Sequence, residues 1–183
     1  FMVPVKVTLL TSFVIALPIV LYQAWAFIAP GLYTHEKRLA LPLILSSTLL
    51  FILGMRFCYF VVFKTVFHFI ASFAPDSITP APDIEAYLNF VMTMFLAFGI
   101  TFEVPIAVIL LVKTGITTVQ KLREVRGYVI VAAFVIAAIV TPPDVISQFL
   151  LAGPLCILYE VGIIFANLIK KPLEIEPEIE AND

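Results

Sequence analysis

Charge is scarce in this chain. Only 13% of its 183 residues are Asp, Glu, Lys or Arg, against roughly 25% in an average globular protein. That shortage excludes an ordinary solvated domain. Cysteine is nearly absent as well. Cys58 and Cys156 both sit in apolar stretches, where they form no metal spacing and no obvious disulfide, so packing is their expected role. The two histidines, His35 and His68, lie far apart in the sequence and on opposite sides of the topology derived below, which excludes a paired metal site. The chain has no Gly-rich phosphate loop, no HExxH and no GxSxG. No cofactor is expected, and the chain does not read as an enzyme. The formal charge of −2 says little, because acids and bases are segregated along the chain, and no nucleic-acid partner is expected.

What the chain has instead is apolar length. It is 62% hydrophobic, and continuous apolar runs of about 18 residues or more read as membrane helices. Five such segments are expected, at about 7–30, 40–63, 87–113, 128–141 and 145–169. Backbone in hydrocarbon must satisfy its own hydrogen bonds, so the segments are helices or strands of a closed barrel. They lack period-two alternation, and helices follow. The fold class is therefore an all-α polytopic membrane protein, with the last two spans short. The fourth run would cover only about 21 Å of the roughly 30 Å of hydrocarbon. Either the bilayer thins there, or Thr141-Pro-Pro-Asp144 dips into it, or the boundary lies elsewhere. No internal repeat supports an inverted-repeat transporter.

Orientation follows from the bases. Lys37, Arg38, Lys113, Lys121, Arg123, Arg126, Lys170 and Lys171 fall in or beside alternate connections, and the loop 71–86 carries Asp76, Asp83 and Glu85 with no base. Segments 31–39, 114–127 and 170–183 are expected in the cytoplasm; 1–6, 64–86 and 142–144 are expected outside. The C-terminus is then cytoplasmic and Phe1 external. No cleavable signal with a basic leading region is present, so the simplest account is a preceding membrane helix, five spans being present of an expected six. The loop 71–86, with Pro75, Pro80 and Pro82, reads as an external cap, and the acidic tail Glu174–Asp183 reads as disordered. Thr117-Thr-Val-Gln120 has capping-box spacing for a short cytoplasmic helix, and Gly115 would end the helix before it.

Several polar residues stand out against this background. Glu103 lies ten residues before Lys113, about 15 Å from the cytoplasmic end and so near mid-membrane. A carboxylate at a helix centre costs about 2.5 kcal/mol or more and usually marks function or a partner contact; a neutral acid bonded to a neighbouring helix is the other reading. Glu160, ten residues before Lys170, has similar depth. The two acids bracket a polar groove or are separately satisfied. Arg56 sits late in the second span, where its stem can snorkel outward or its head can pair with Asp83 or Glu85. Glu36, beside Lys37 and Arg38, reads on composition as a solvated loop acid or as a receptor for a cation.

The ordered set of motifs resembles the TatC family, the multi-span core subunit of the twin-arginine protein translocase. The resemblance is carried by Trp25-Ala-Phe-Ile-Ala-Pro-Gly-Leu32, Glu36-Lys37-Arg38, Ala97-Phe-Gly-Ile-Thr-Phe-Glu-Val-Pro105, Leu122-Arg-Glu-Val-Arg-Gly-Tyr128 and Thr141-Pro-Pro-Asp-Val-Ile-Ser-Gln148. Each is modest alone; together, in family order and over nearly the whole chain, they are specific. Arg56 and Lys64 depart from the apolar residue and the proline expected there, and Gly127 stands where proline often precedes the tyrosine.

The resemblance implies a receptor and assembly scaffold for folded proteins exported by the protonmotive force. By it, Glu36 contacts the two arginines of the signal peptide, and Phe27 belongs to the same recognition region. Glu103 is the acid of an intramembrane groove, Thr141 and Gln148 dock partner helices, and Asp144 stands at the external turn. The implied partners are twin-arginine signal peptides, single-span TatA- and TatB-type subunits, further copies of the chain and the lipid bilayer. The implied place is the bacterial inner membrane. A carboxylate accepts the planar fork of an arginine bidentately, so the chemistry suits the assignment. A proton- or cation-coupled solute transporter using Glu103 and Glu160 is the competing reading.

Overall fold

A computed structural model describes residues 2–28, 37–73, 83–141 and 144–169. Its described residues are helical nearly throughout. Helix α1 is Met2–Ile28 and α2 is Lys37–Phe57. A π-helical segment, Cys58–Phe63, joins α2 to α3 (Lys64–Phe73). Then follow α4 (Ile84–Lys113), α5 (Val119–Glu124), α6 (Arg126–Val140) and α7 (Val145–Ile169).

Side-chain contacts fix the direction of each helix. Lys6 at the start of α1 reaches Glu85 at the start of α4 (2.7 Å), while Trp25 near the end of α1 bonds Ser47 in α2 (2.9 Å). Helices α1 and α4 therefore run together and α2 runs against them. Leu151 packs with Met94 in one cluster and Ile163 with Val108 in another, so α7 runs with α4. Arg126 meets Glu160 and Phe134 meets Phe149, so α6 runs against α7. Helix α4 is central, held between α2 and α7, with α6 on the far side of α7 and α1 laid against α2.

Small residues permit the close crossings, as they do where helices pack in lipid. A Cβ on Gly54 would lie 2.5 Å from the Phe98 carbonyl oxygen, and one on Gly162 would lie 2.9 Å from the Pro105 Cα. Pro18, Pro42, Pro105 and Pro154 all lie inside helices, which membrane helices accommodate.

Four helical segments, Met2–Phe27, Leu41–Phe69, Ile84–Lys113 and Val145–Ile169, are long and apolar enough to cross a membrane; Arg126–Val140 is apolar but shorter. Of the two helices expected to be short, α6 has 15 residues and α7 has 25. Helix α6 alone is short of the roughly 30 Å of hydrocarbon. It joins α5 directly through Val125, where ψ is 6° and the helix is interrupted; Val125 N–H to Lys121 O and Val129 N–H to Val125 O, each 3.1 Å, link the two helices. Helix α5 is capped by Thr118, whose hydroxyl accepts from Lys121 N–H (3.3 Å), so the cap lies one residue beyond the Thr117 expected. Gly115 ends α4 as expected, with φ +76°, a conformation glycine adopts without steric cost. Of the expected external cap, 74–82 lie outside the described residues, as does the tail 170–183.

Candidate functional site

Glu103 lies on α4 at the level where α1 and α2 cross it. Its side chain is 7% exposed. Around it Leu17, Leu21, Trp25, Phe51, Ile106 and Leu110 form one apolar cluster from the three helices. Two polar side chains enter that cluster. The Trp25 indole N–H donates to the Ser47 hydroxyl at 2.9 Å, and both residues are polar neighbours of the Glu103 carboxyl. Neither carboxyl oxygen makes a hydrogen bond of acceptable geometry. The indole has spent its single donor on Ser47. An acid enclosed with two unused acceptors is a costly arrangement in a dry interior. Proximity to the acid makes Trp25 and Ser47 members of the site. Trp25 stood in the sequence motif without an assigned role. Ser47 was not singled out in the sequence; the Ser46-Ser47 pair inside an apolar span is the signal that could have found it.

Glu160 does not join Glu103. Its Oε2 receives the Arg126 guanidinium at 2.6 Å, so the pair of acids expected as one possible groove or relay is resolved into two separate environments. Beside it the buried Tyr159 hydroxyl donates to the Leu122 carbonyl at 2.9 Å. The two contacts tie the α5–α6 junction to α7. Arg56 takes neither Asp83 nor Glu85. Its guanidinium stands 5.5 Å from the Phe60 ring centroid, Glu85 is held by Lys6, and the Asp83 carboxylate accepts from Glu85 N–H at 3.1 Å as the cap of α4.

At the end of α1, Trp25 is buried while Phe27, two residues on, is 87% exposed. Glu36 lies outside the described residues. At the other end of the bundle, Thr141 is buried, with its hydroxyl donating to the Ala137 carbonyl (2.7 Å). Asp144 caps α7 by accepting from Ser147 N–H (2.7 Å). Gln148 is half-buried on the first turn of α7, and the fully buried Ser147 hydroxyl beside it has no partner. Among the described residues no group of three or more His, Cys, Asp or Glu could hold a metal ion.

A bundle of long apolar helices, with an unbonded acid enclosed at its centre, defines an integral membrane protein of the polytopic helical class. Comparison with known proteins makes the assignment specific. The family model described as "Sec-independent protein translocase protein (TatC)" matches residues 1–154, and the chain belongs to that family. It is 52% identical over 183 residues to the Sec-independent protein translocase protein TatC of Haemophilus influenzae, covering 100% of this chain and 71% of that protein. It is also 52% identical to the TatC of Escherichia coli K12, over 91% of this chain and 65% of that one. The TatC of Halothiobacillus neapolitanus is 52% identical as well, but the chain spans only 50% of its length. A crystal structure of a twin arginine translocase receptor, TatC, in DDM superposes with a TM-score of 0.80 at 44% identity, covering 90% of this chain and 74% of that one.

Proposed function

We propose that the chain forms part of the signal-peptide receptor and assembly scaffold of a twin-arginine translocase. The observation that carries this reading is the exposed Phe27 at the end of α1, nine residues before Glu36 and next to the bases Lys37 and Arg38. An exposed aromatic ring with a carboxylate nine residues on in the sequence suits a peptide bearing two arginines and an apolar stretch. The carboxylate accepts a guanidinium fork, and the ring stacks with it or packs against apolar residues. The bases of 37–38 and 113–126 fall at one end of the helix bundle, which supports placing that end in the cytoplasm of a bacterial inner membrane. The protein is a binding scaffold, not an enzyme, and export draws on the protonmotive force.

In this reading Glu103, with its two unused acceptors, takes a donor from a partner helix once the cover of α1 and α2 shifts. Thr141, Asp144 and Gln148 form the docking end for single-span TatA- and TatB-type subunits. The transporter reading is not supported, because Glu160 is engaged by Arg126 and cannot serve with Glu103 as a relay. The direct test is Glu36→Gln and, separately, Phe27→Ala in the complete protein, followed by photocrosslinking to a twin-arginine precursor. At least a tenfold loss of crosslinking at normal membrane levels is expected, corresponding to about 1.4 kcal/mol. Undiminished crosslinking in both variants overturns the assignment.

A further inference from the structure

At the end of the bundle where α4 begins, the π-helical segment leaves a crevice of ≈ 370 Å³ lined by Tyr59, Phe60, Phe63, Lys64, Phe67 and Tyr87. Three of those six residues belong to the π-helical segment itself, a geometry found frequently at functional sites. The walls are aromatic and mutually packed: Phe63 and Phe67 have ring centroids 5.9 Å apart, and Phe67 and Tyr87 5.7 Å apart. Tyr59 and Phe60 nonetheless remain more than half exposed.

Two cations flank this crevice. Lys64 is an exposed lining residue, and among the described residues no carboxylate pairs with it. The Arg56 guanidinium stands over the Phe60 ring. Among the described residues the acids at this end are engaged, Glu85 by Lys6, Asp83 by the α4 cap and Asp144 by the α7 cap. Depth is informative too. Arg56 lies about 24 Å and Lys64 about 36 Å along the helix from the start of the expected span at residue 40 at helical rise, against about 30 Å of hydrocarbon. The two cations therefore bracket the level of the headgroups, where tyrosines and snorkelling bases collect.

We propose that this crevice is a binding site for one anionic phospholipid, with its phosphate between Lys64 and Arg56, its glycerol backbone against the open faces of Tyr59 and Phe60, and its acyl chains running past Arg56 toward the membrane interior. Charge complementarity selects the occupant: two cations with no competing carboxylate among the described residues favour a net-negative headgroup over a zwitterionic one. The proposal is independent of signal-peptide recognition, which lies at the opposite end of the bundle.

Native mass spectrometry of the intact protein in detergent, titrated with dioleoyl phosphatidylglycerol or dioleoyl phosphatidylcholine, tests it. Wild type should retain one phosphatidylglycerol in preference to phosphatidylcholine. Lys64→Gln and Arg56→Gln should each weaken that retention about fivefold, the effect of removing one base from an anionic surface, and Lys64→Arg should restore it. Lys121→Gln, on α5 at the opposite end of the bundle, should leave it unchanged. Equal retention of both lipids, undiminished retention in the Lys64 and Arg56 variants, or an equal loss in Lys121→Gln each overturns the proposal.

Discussion

The Trp25 indole and the Ser47 hydroxyl are joined at 2.9 Å across the α1–α2 contact, directly beside the Glu103 carboxyl. Buried interhelical hydrogen bonds in membrane proteins contribute about 0.6 kcal/mol on average. Trp25→Phe keeps most of the ring volume and Ser47→Ala removes only the hydroxyl, so both isolate the bond. Each should lower the thermal midpoint in detergent slightly, and the double variant should cost less than the sum of the singles. Additive losses would show that the two side chains are energetically independent.

Glu103 offers a sharper contrast between stability and function. Both of its oxygens are buried without a hydrogen bond, so an apolar side chain of similar length gives up no internal bond there. Glu103→Met should match or exceed the wild-type midpoint for unfolding in detergent. In the complete translocase the same substitution should weaken association with the single-span subunits, read by co-purification. A Met variant that unfolds readily would mean that the carboxyl holds the three helices together.

How much of this was legible in the sequence depends on the residue. Glu103 was conspicuous because an acid in an apolar span is rare. Its surroundings were not, because an all-apolar helix has no periodicity to show which face turns inward. Ser46 and Ser47 illustrate the difficulty: Ser46 is exposed and bonds the Leu43 carbonyl of its own helix, while Ser47 is fully buried against Trp25. The link between α5 and α6 was hidden for the opposite reason. The outer face of α5 is polar, so the apolar run began only near residue 128, although two bonds through Val125 join the helices. Thr118 displaced Thr117 as the cap because its extended backbone, φ −112° and ψ 154°, directs its hydroxyl at Lys121 N–H.

Helix crossings supply the next prediction. A methyl on Gly54 meets the backbone carbonyl of Phe98 at 2.5 Å, whereas one on Gly153 meets nothing within 4 Å. A backbone oxygen cannot swing aside as a side chain can, so α2 and α4 must separate. Gly54→Ala should cost about 1–3 kcal/mol, the usual range for overpacking. Gly153→Ala should be neutral or slightly stabilising, since alanine has the better helix propensity. Guanidine or thermal unfolding in detergent distinguishes them, and equal behaviour of the two variants would contradict the close α2–α4 approach.

Two contacts pin the α5–α6 junction to α7, and they should differ in strength. The Arg126–Glu160 ion pair is short, but its side chains are 45% and 41% exposed, and exposed pairs contribute about 0–1 kcal/mol. Tyr159 is buried, and its hydroxyl satisfies the Leu122 carbonyl at the break between α5 and α6. Removing that hydroxyl strands a buried acceptor at a cost of about 1–3 kcal/mol. Tyr159→Phe should therefore speed hydrogen exchange across Val119–Glu124 by about fivefold or more, while Arg126→Gln should change it by less, and by less still in high salt, where an exposed pair is already screened. If Arg126→Gln loosens α5 more than Tyr159→Phe does, the ion pair is the dominant fastening, and the α5–α6 junction lies in a drier environment than its exposure implies.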